Sequence, residues 1–202
     1  MLYYARGVVR VTVALVFALA VPAAAESPSD LVDVAAVVPD AVIDLRYATA
    51  DNITGEVLYP RATCKLRRTV AVRLARAAKI LRAERRRLVL WDCYRPDAIQ
   101  VVLWERMPDT RYVADPKVGS RHNRGAAVDV ALADEEGVML AMPTAFDDFT
   151  AAAHRKRALR GAKGTEARRL ERAMTKAGFV GLATEWWHFD APGTFSRSNE
   201  PL

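Results

Sequence analysis

Apolar and polar positions alternate along this chain with two periods. Between Leu66 and Arg87, the residues Val70, Leu74, Ala77, Ala78 and Leu81 recur at helical spacing among arginines, which predicts an amphipathic helix laid on a sheet. The run LVLWDC, Leu88 to Cys93, reads as the buried strand that follows, and Pro96 fits the first turn of a second helix reaching about Arg106. Ala126 to Leu132 is rich in small and β-branched residues and predicts another strand; ADEEG, Ala133 to Gly137, is a hairpin turn, with Val138 to Met142 pairing back. Thr165 to Ala177 is a helix with Ala167, Leu170, Ala173 and Met174 inward, stopped by Gly178. Phe179 to Asp190 is a strand. Near the start, AVIDLRY alternates as a strand from Ala41 to Tyr47 and gives way to an irregular loop over Ala50 to Tyr59.

Runs of strand and helix in this order predict an α+β fold, a mostly antiparallel sheet flanked by helices, in a single domain over residues 26–202. Residues 1–25 are of a different kind. Arg6 and Arg10 give a positive start, Val11 to Val21 is apolar, and Ala23 to Ala25 offers small residues for cleavage, the pattern of a secretory signal peptide. The apolar run is short of the roughly 20 residues that a membrane span needs, which favours cleavage over the alternative of an uncleaved anchor, and no stable membrane insertion is expected after its removal. The protein is therefore expected to be exported, periplasmic or extracellular.

Charge adds little. Without Arg6 and Arg10 there remain 28 basic residues against 24 acidic ones, and much of the excess lies over Lys65 to Arg87 and Arg155 to Arg172, where basic residues fall among alanines and leucines. A solvated helix face accounts for them, and no nucleic-acid-binding module or aromatic-studded basic stripe accompanies them. Ala151 to Lys163 is basic, ends in glycines and reads as a segment able to move over a cleft, with His154 at the surface. The chain has two cysteines, Cys64 and Cys93. In an exported chain such a pair points to a disulfide, the alternative being two buried thiols.

Candidate chemistry gathers in two short segments. The chain has three histidines, and two of them stand in SRHNRGAAVDV, Ser120 to Val130, and in TEWWHFD, Thr184 to Asp190. A loop histidine at 122 and a strand carboxylate at 129, joined by a turn at Gly125, can face one point in space. His188 would complete a set of three ligands for Zn²⁺ with one position left for water. Glu185 supplies a carboxylate to carry protons to and from the water that such an ion activates. In a flat strand, positions three apart face opposite sides, so a bulge or strong twist is expected at Trp186 or Trp187. Each residue also has an ordinary reading: Asp129 as a hydrogen-bonded strand residue, the tryptophans as core, Tyr47 as an aromatic packed at a strand end.

Taken with DCYRP at Asp92 to Pro96, the pattern SxHxxGxAxD followed by ExxH resembles the zinc D-alanyl-D-alanine dipeptidases, the branch of the D,D-peptidases that includes the vancomycin-resistance dipeptidases. The resemblance runs from about Tyr47 to about Asp190. It implies His122, Asp129 and His188 as zinc ligands, Glu185 as general base and acid, and Arg95 as the side chain that steadies the oxyanion. It further implies that Ser120, Tyr47 and Asp147 bind a small D,D-dipeptide, Asp147 by meeting its ammonium group. Arg95 falls at a strand-to-helix corner, where it would serve either this role or that of a clamp on backbone carbonyls. The zinc site is expected at one edge of the sheet. Two other functions fit the same residues: a D,D-carboxypeptidase or endopeptidase acting on longer wall peptides, and a non-catalytic zinc- or wall-binding protein.

Overall fold

The computed structural model describes Met1 and residues 30–202; the expected signal peptide lies outside the described residues. Among the described residues, seven strands and four α-helices follow one another as β1 (Leu31–Asp33), β2 (Val42–Ile43), β3 (Lys65–Arg67), α1 (Arg68–Arg82), β4 (Arg87–Asp92), α2 (Asp97–Arg106), β5 (Ala127–Ala133), α3 (Arg155–Ala158), α4 (Thr165–Lys176), β6 (Val180–Gly181) and β7 (His188–Asp190). The main sheet has the order β2-β4-β5-β7-β6. β2 runs parallel to β4, and the other three pairings are antiparallel. β1 and β3 form a separate antiparallel pair. This is the expected α+β class.

The core follows from the helical spacing. Val70, Ala71, Leu74, Ala77, Ala78 and Leu81 of α1 are buried, as are Ala167, Leu170, Ala173 and Met174 of α4. The two helices pack on each other and on the central strands, and all seven residues of β5 are buried. Truncating a fully enclosed side chain such as Leu74 to alanine costs about 2–5 kcal/mol. Gly178, at φ 89°, ends α4: its N–H bonds the Thr175 carbonyl while the Phe179 N–H reaches that of Met174, the paired bonds of a Schellman stop.

Several boundaries differ from expectation, each for a local reason. The helix expected over Leu66 to Arg87 is shorter, because Leu66 pairs with Val32 in β1 and Arg67 bonds the Gly125 carbonyl, while Arg85 turns left-handed at φ 57°. AVIDLRY yields only two paired residues. The chain then leaves the sheet, Arg46 pairs with Asp44 and Asp51, and Tyr47 sits in a 3-10 turn rather than at a strand end. Val138 to Met142 makes a single bridge, Ala133 to Met139, instead of a strand. The basic segment after Ala151 is folded, with α3 at its centre and the N–H of Arg155 bonded to the Ala183 carbonyl.

The largest correction concerns Phe179 to Asp190. It is not one bulged strand but a hairpin, β6 and β7, whose connection carries Glu185, Trp186 and Trp187. The register irregularity lies elsewhere, on β4 between Leu90 and Asp92. One additional residue there brings Asp92 opposite Asp129. Among the described residues, no helix is long and apolar enough to cross a membrane.

Candidate active site

The ends of β4, β5 and β7 converge with a turn of 3-10 helix, His122–Arg124. The edge of the sheet that carries the site is this set of strand ends. Gly125 makes the turn fit at φ 62°: a Cβ there would lie 2.4 Å from Leu31 Cδ2 and 3.2 Å from the Arg67 nitrogen. Asn123, fully buried, fixes the turn by accepting from the Ser120 N–H at 2.6 Å and donating to the Arg95 carbonyl at 2.8 Å.

His122, Asp129 and His188 come together as the sequence predicts, all buried, with ligand atoms within 4.8 Å of one another. His122 Nε2 lies 3.1 Å from His188 Nδ1 and 3.4 Å from Asp129 Oδ2, and His188 Nδ1 lies 2.9 Å from Asp129 Oδ1. A tetrahedral ion with bonds of about 2.0–2.1 Å holds its ligands roughly 3.3 Å apart, so the set fits a metal ion with little movement. The outward ring nitrogens are also committed: His122 Nδ1 is 2.7 Å from the Cys93 carbonyl, and His188 Nε2 is 3.0 Å from Asp190. Such partners fix the tautomer that turns the other nitrogen to a metal. No fourth protein ligand joins the cluster among the described residues, which leaves the open position of a catalytic site rather than the closed shell of a structural one.

The electrostatics agree. Burial alone would raise Asp129, but the two imidazoles, His122 foremost, hold its carboxyl well below the usual range. Burial works against a charge on His188, yet its bonds to Asp129 and Asp190 raise it to about 10 in the metal-free chain. An ion entering here must displace that proton, so its affinity falls as pH falls.

Around the cluster lies a cleft of about 220 Å³, lined by His122, Asp129 and His188 together with Glu185, Arg95 and Asp147. Pockets for drug-sized ligands run to about 300–1,000 Å³, so this one suits a smaller molecule. Glu185 is 5% exposed, and its Oε1 has no hydrogen-bond partner among the described residues. Burial pushes its carboxyl up to about 8; a neighbouring cation acts in the opposite direction.

Among the described residues, Arg95 clamps no backbone carbonyl. Its Nε and Nη2 donate to Asp92 Oδ2 at 3.1 and 2.7 Å, and its Nη1 donates to Gln100 Oε1 at 2.9 Å. Asp92 also accepts from Tyr59 at 2.6 Å and lies 3.3 Å from His122 Nδ1, so one buried carboxylate orients the guanidinium and borders the imidazole that the Cys93 carbonyl holds. Sequence reasoning missed Asp92 and Gln100, although Asp92 opens the very motif that supplied Arg95.

The three residues expected to bind substrate all reach the cleft. Tyr47 Oη lies 3.3 Å from both oxygens of Asp147, whose Oδ2 also accepts from the Ile53 N–H at 3.1 Å. Ser120 Oγ accepts from the His122 N–H at 3.2 Å. The two tryptophans divide their tasks: Trp187 lines the cleft, while Trp186 packs edge-on to Trp91 behind it and donates to Thr144. His154 is no ligand; it pairs with the Tyr112 hydroxyl at 3.3 Å.

Two imidazoles and a carboxylate around an open position, with a buried glutamate and an arginine in the same cleft, define a metal-dependent hydrolase. Comparison with known proteins gives the narrower class. The peptidase M15 family model, described as D-ala-D-ala dipeptidase, matches residues 27–200, and the chain belongs to that family. It is similar to a D-alanyl-D-alanine dipeptidase of Escherichia coli, with 42% identity over 168 residues, covering 81% of this chain and 86% of the relative. Proteins of the same name from Enterococcus faecium and Enterococcus faecalis are 29% and 30% identical over 170 and 171 residues, each match covering 72% of this chain and 83% of the relative.

Proposed function

We propose that this chain is a zinc-dependent dipeptidase that hydrolyses D-alanyl-D-alanine. The observation that carries the reading is the three-ligand cluster with a free position, opening into the same small cleft as Glu185 and Arg95. His122, Asp129 and His188 would hold the ion, which when bound acidifies water to a pKa of about 7 and polarises the scissile carbonyl. Glu185 takes the proton from the attacking water and passes it to the departing amine; its burial suits a carboxyl that must give the proton up again. Arg95, held by Asp92 and Gln100, presents a fixed positive charge to the oxygen that gains charge as the peptide bond is attacked. Asp147 and Tyr47 at one side of the cleft receive the dipeptide's ammonium group, with Ser120 lining its wall.

The size of the cleft favours a dipeptide over a longer wall peptide. The disulfide between Cys64 and Cys93 supports export to an oxidising compartment, where the substrate would be dipeptide released by wall turnover or scavenged outside the membrane. The test uses residues 26–202 loaded with zinc, beside the Glu185→Gln form, on D-Ala-D-Ala and on a pentapeptide stem. Cleavage of the dipeptide alone, lowered about 10²- to 10⁴-fold in Glu185→Gln, is expected. Preference for the pentapeptide would make the chain a carboxypeptidase or endopeptidase, and equal rates in both forms would leave it no enzymatic role for Glu185.

A further inference from the structure

We propose that Arg155 is a positioning residue for hydrolysis, the clamp that fixes the hairpin loop presenting Glu185 and His188 to the cleft. The inference rests on the reading of Glu185 as the proton carrier. That loop, from Leu182 to Trp187, is weakly closed by its own backbone: the Leu182 N–H reaches the His188 carbonyl at 3.3 Å, and the Glu185 N–H reaches that of Leu182 at 3.4 Å. Both bonds lie beyond the usual range for N–H donors.

Arg155, the first residue of α3, supplies what the loop lacks. Its Nε donates to the Leu182 carbonyl at 2.9 Å, and its Nη2 donates to those of Glu185 and His188 at 2.9 and 2.7 Å. Its Nη1 pairs with Glu171 of α4, and its guanidinium lies over the Phe189 ring, 4.4 Å from the centroid. One planar cation thus ties the general base and a metal ligand, through their carbonyls, to α3 and by way of Glu171 to α4. A lysine, with a single point of charge, cannot span three carbonyls in this way.

Gly181 belongs to the same device. A Cβ at that position would lie 2.1 Å from the Arg155 Cζ, so the strand leaves room for the guanidinium only because it has glycine there. Its φ is not in the left-handed region, so Gly181→Ala would displace the clamp without straining the backbone.

The test measures kcat and KM on D-Ala-D-Ala, bound zinc, and amide hydrogen exchange over residues 182–188 for Arg155→Ala, Arg155→Lys and Gly181→Ala, with Glu185→Gln as reference. We expect kcat to fall about 10²-fold, the size of loss a misplaced group produces, while KM moves less than about threefold. At saturating zinc the metal content should equal that of the parent protein. Exchange over residues 182–188 should quicken both with zinc and without it. Free guanidinium ion at low concentration should restore part of the turnover of Arg155→Ala and none of that of Glu185→Gln. Should Arg155→Ala fail to fold, Gly181→Ala and Arg155→Lys carry the test. Turnover near the parent value in the folded variants overturns the proposal, as does a loss of activity that tracks zinc or thermal stability with no change in exchange at the loop. Parent-like hydrolysis by Glu185→Gln would instead overturn the role of Glu185; an inactive Glu185→Gln beside active clamp variants would sink the clamp alone.

Discussion

Asp129 on β5 and His188 on β7 are direct partners across the antiparallel ladder, and the pairing that builds the sheet also brings their side chains to 2.9 Å. Slipping either strand by one residue would turn a ligand to the opposite face, so the register of the sheet and the integrity of the site are one requirement. On the other side, β4 places Asp92 opposite the same Asp129. Two opposed buried carboxylates would repel, but His122 stands between them, 3.3 Å from Asp92 and 3.4 Å from Asp129, and Arg95 neutralises Asp92.

Asp190 holds the outward nitrogen of His188 at 3.0 Å. Replacing it with alanine frees the ring and should weaken metal binding about 10- to 100-fold. Competition against a chelator measures this directly, and an unchanged affinity would mean that Asp190 does not orient the ring.

Arg95→Ala should lower kcat by on the order of 10²–10³ while the protein keeps its full metal content. Gln100→Ala, which frees one of three bonds to the guanidinium, should lose less. Metal analysis beside steady-state kinetics checks both, and loss of metal from Arg95→Ala would show a structural role instead.

Burial pushes the Asp147 carboxyl up to about 7 from its ordinary 3.8. A group that binds its proton more tightly when folded adds stability that is complete below about pH 4 and is lost as pH rises through about 7. Urea unfolding of the metal-free chain from pH 4 to pH 8 should show that decline, to which the buried Glu185 carboxyl also contributes, and Asp147→Asn should make it shallower without abolishing it. For the enzyme the sign reverses: the ionised carboxylate attracts an ammonium group, so KM should fall as pH rises through about 7 and should rise in Asp147→Asn.

The Cys64–Cys93 disulfide joins positions 29 apart in the sequence and anchors the strand end whose carbonyl orients His122. Reduction should cost roughly 3–4 kcal/mol of stability. Thermal unfolding with and without reductant tests it, the double Cys→Ser variant serving as control.

The ligands were legible because histidine is scarce and because Gly125 marks the turn that points His122 and Asp129 one way. The two long helices were legible from their apolar spacing, α4 to within a residue. What the sequence concealed was long-range or depended on burial. Arg155 looks like any other arginine in a basic run, and only the packing of α3 against the hairpin shows it 11% exposed with three carbonyls in its grasp. The hairpin itself was hidden because EWWHFD has the composition of a continuous strand, and its reversal depends on pairing between β6 and β7. Lys65–Arg67 is strand rather than helix for the same reason: its partners, Leu31–Asp33 and Gly125, are distant in the chain. Asp92 was visible as a letter in a motif, but its link to Arg95, Tyr59 and His122 needed the bulge on β4.

The most direct test of the account is X-ray absorption at the zinc edge of residues 26–202 loaded with one equivalent of zinc. The account predicts four nitrogen and oxygen neighbours at about 2.0–2.1 Å, two of them with the outer scattering of imidazole, and one imidazole fewer in His188→Ala. A spectrum with no imidazole, with sulfur, or with a fourth protein ligand closing the open position would contradict it.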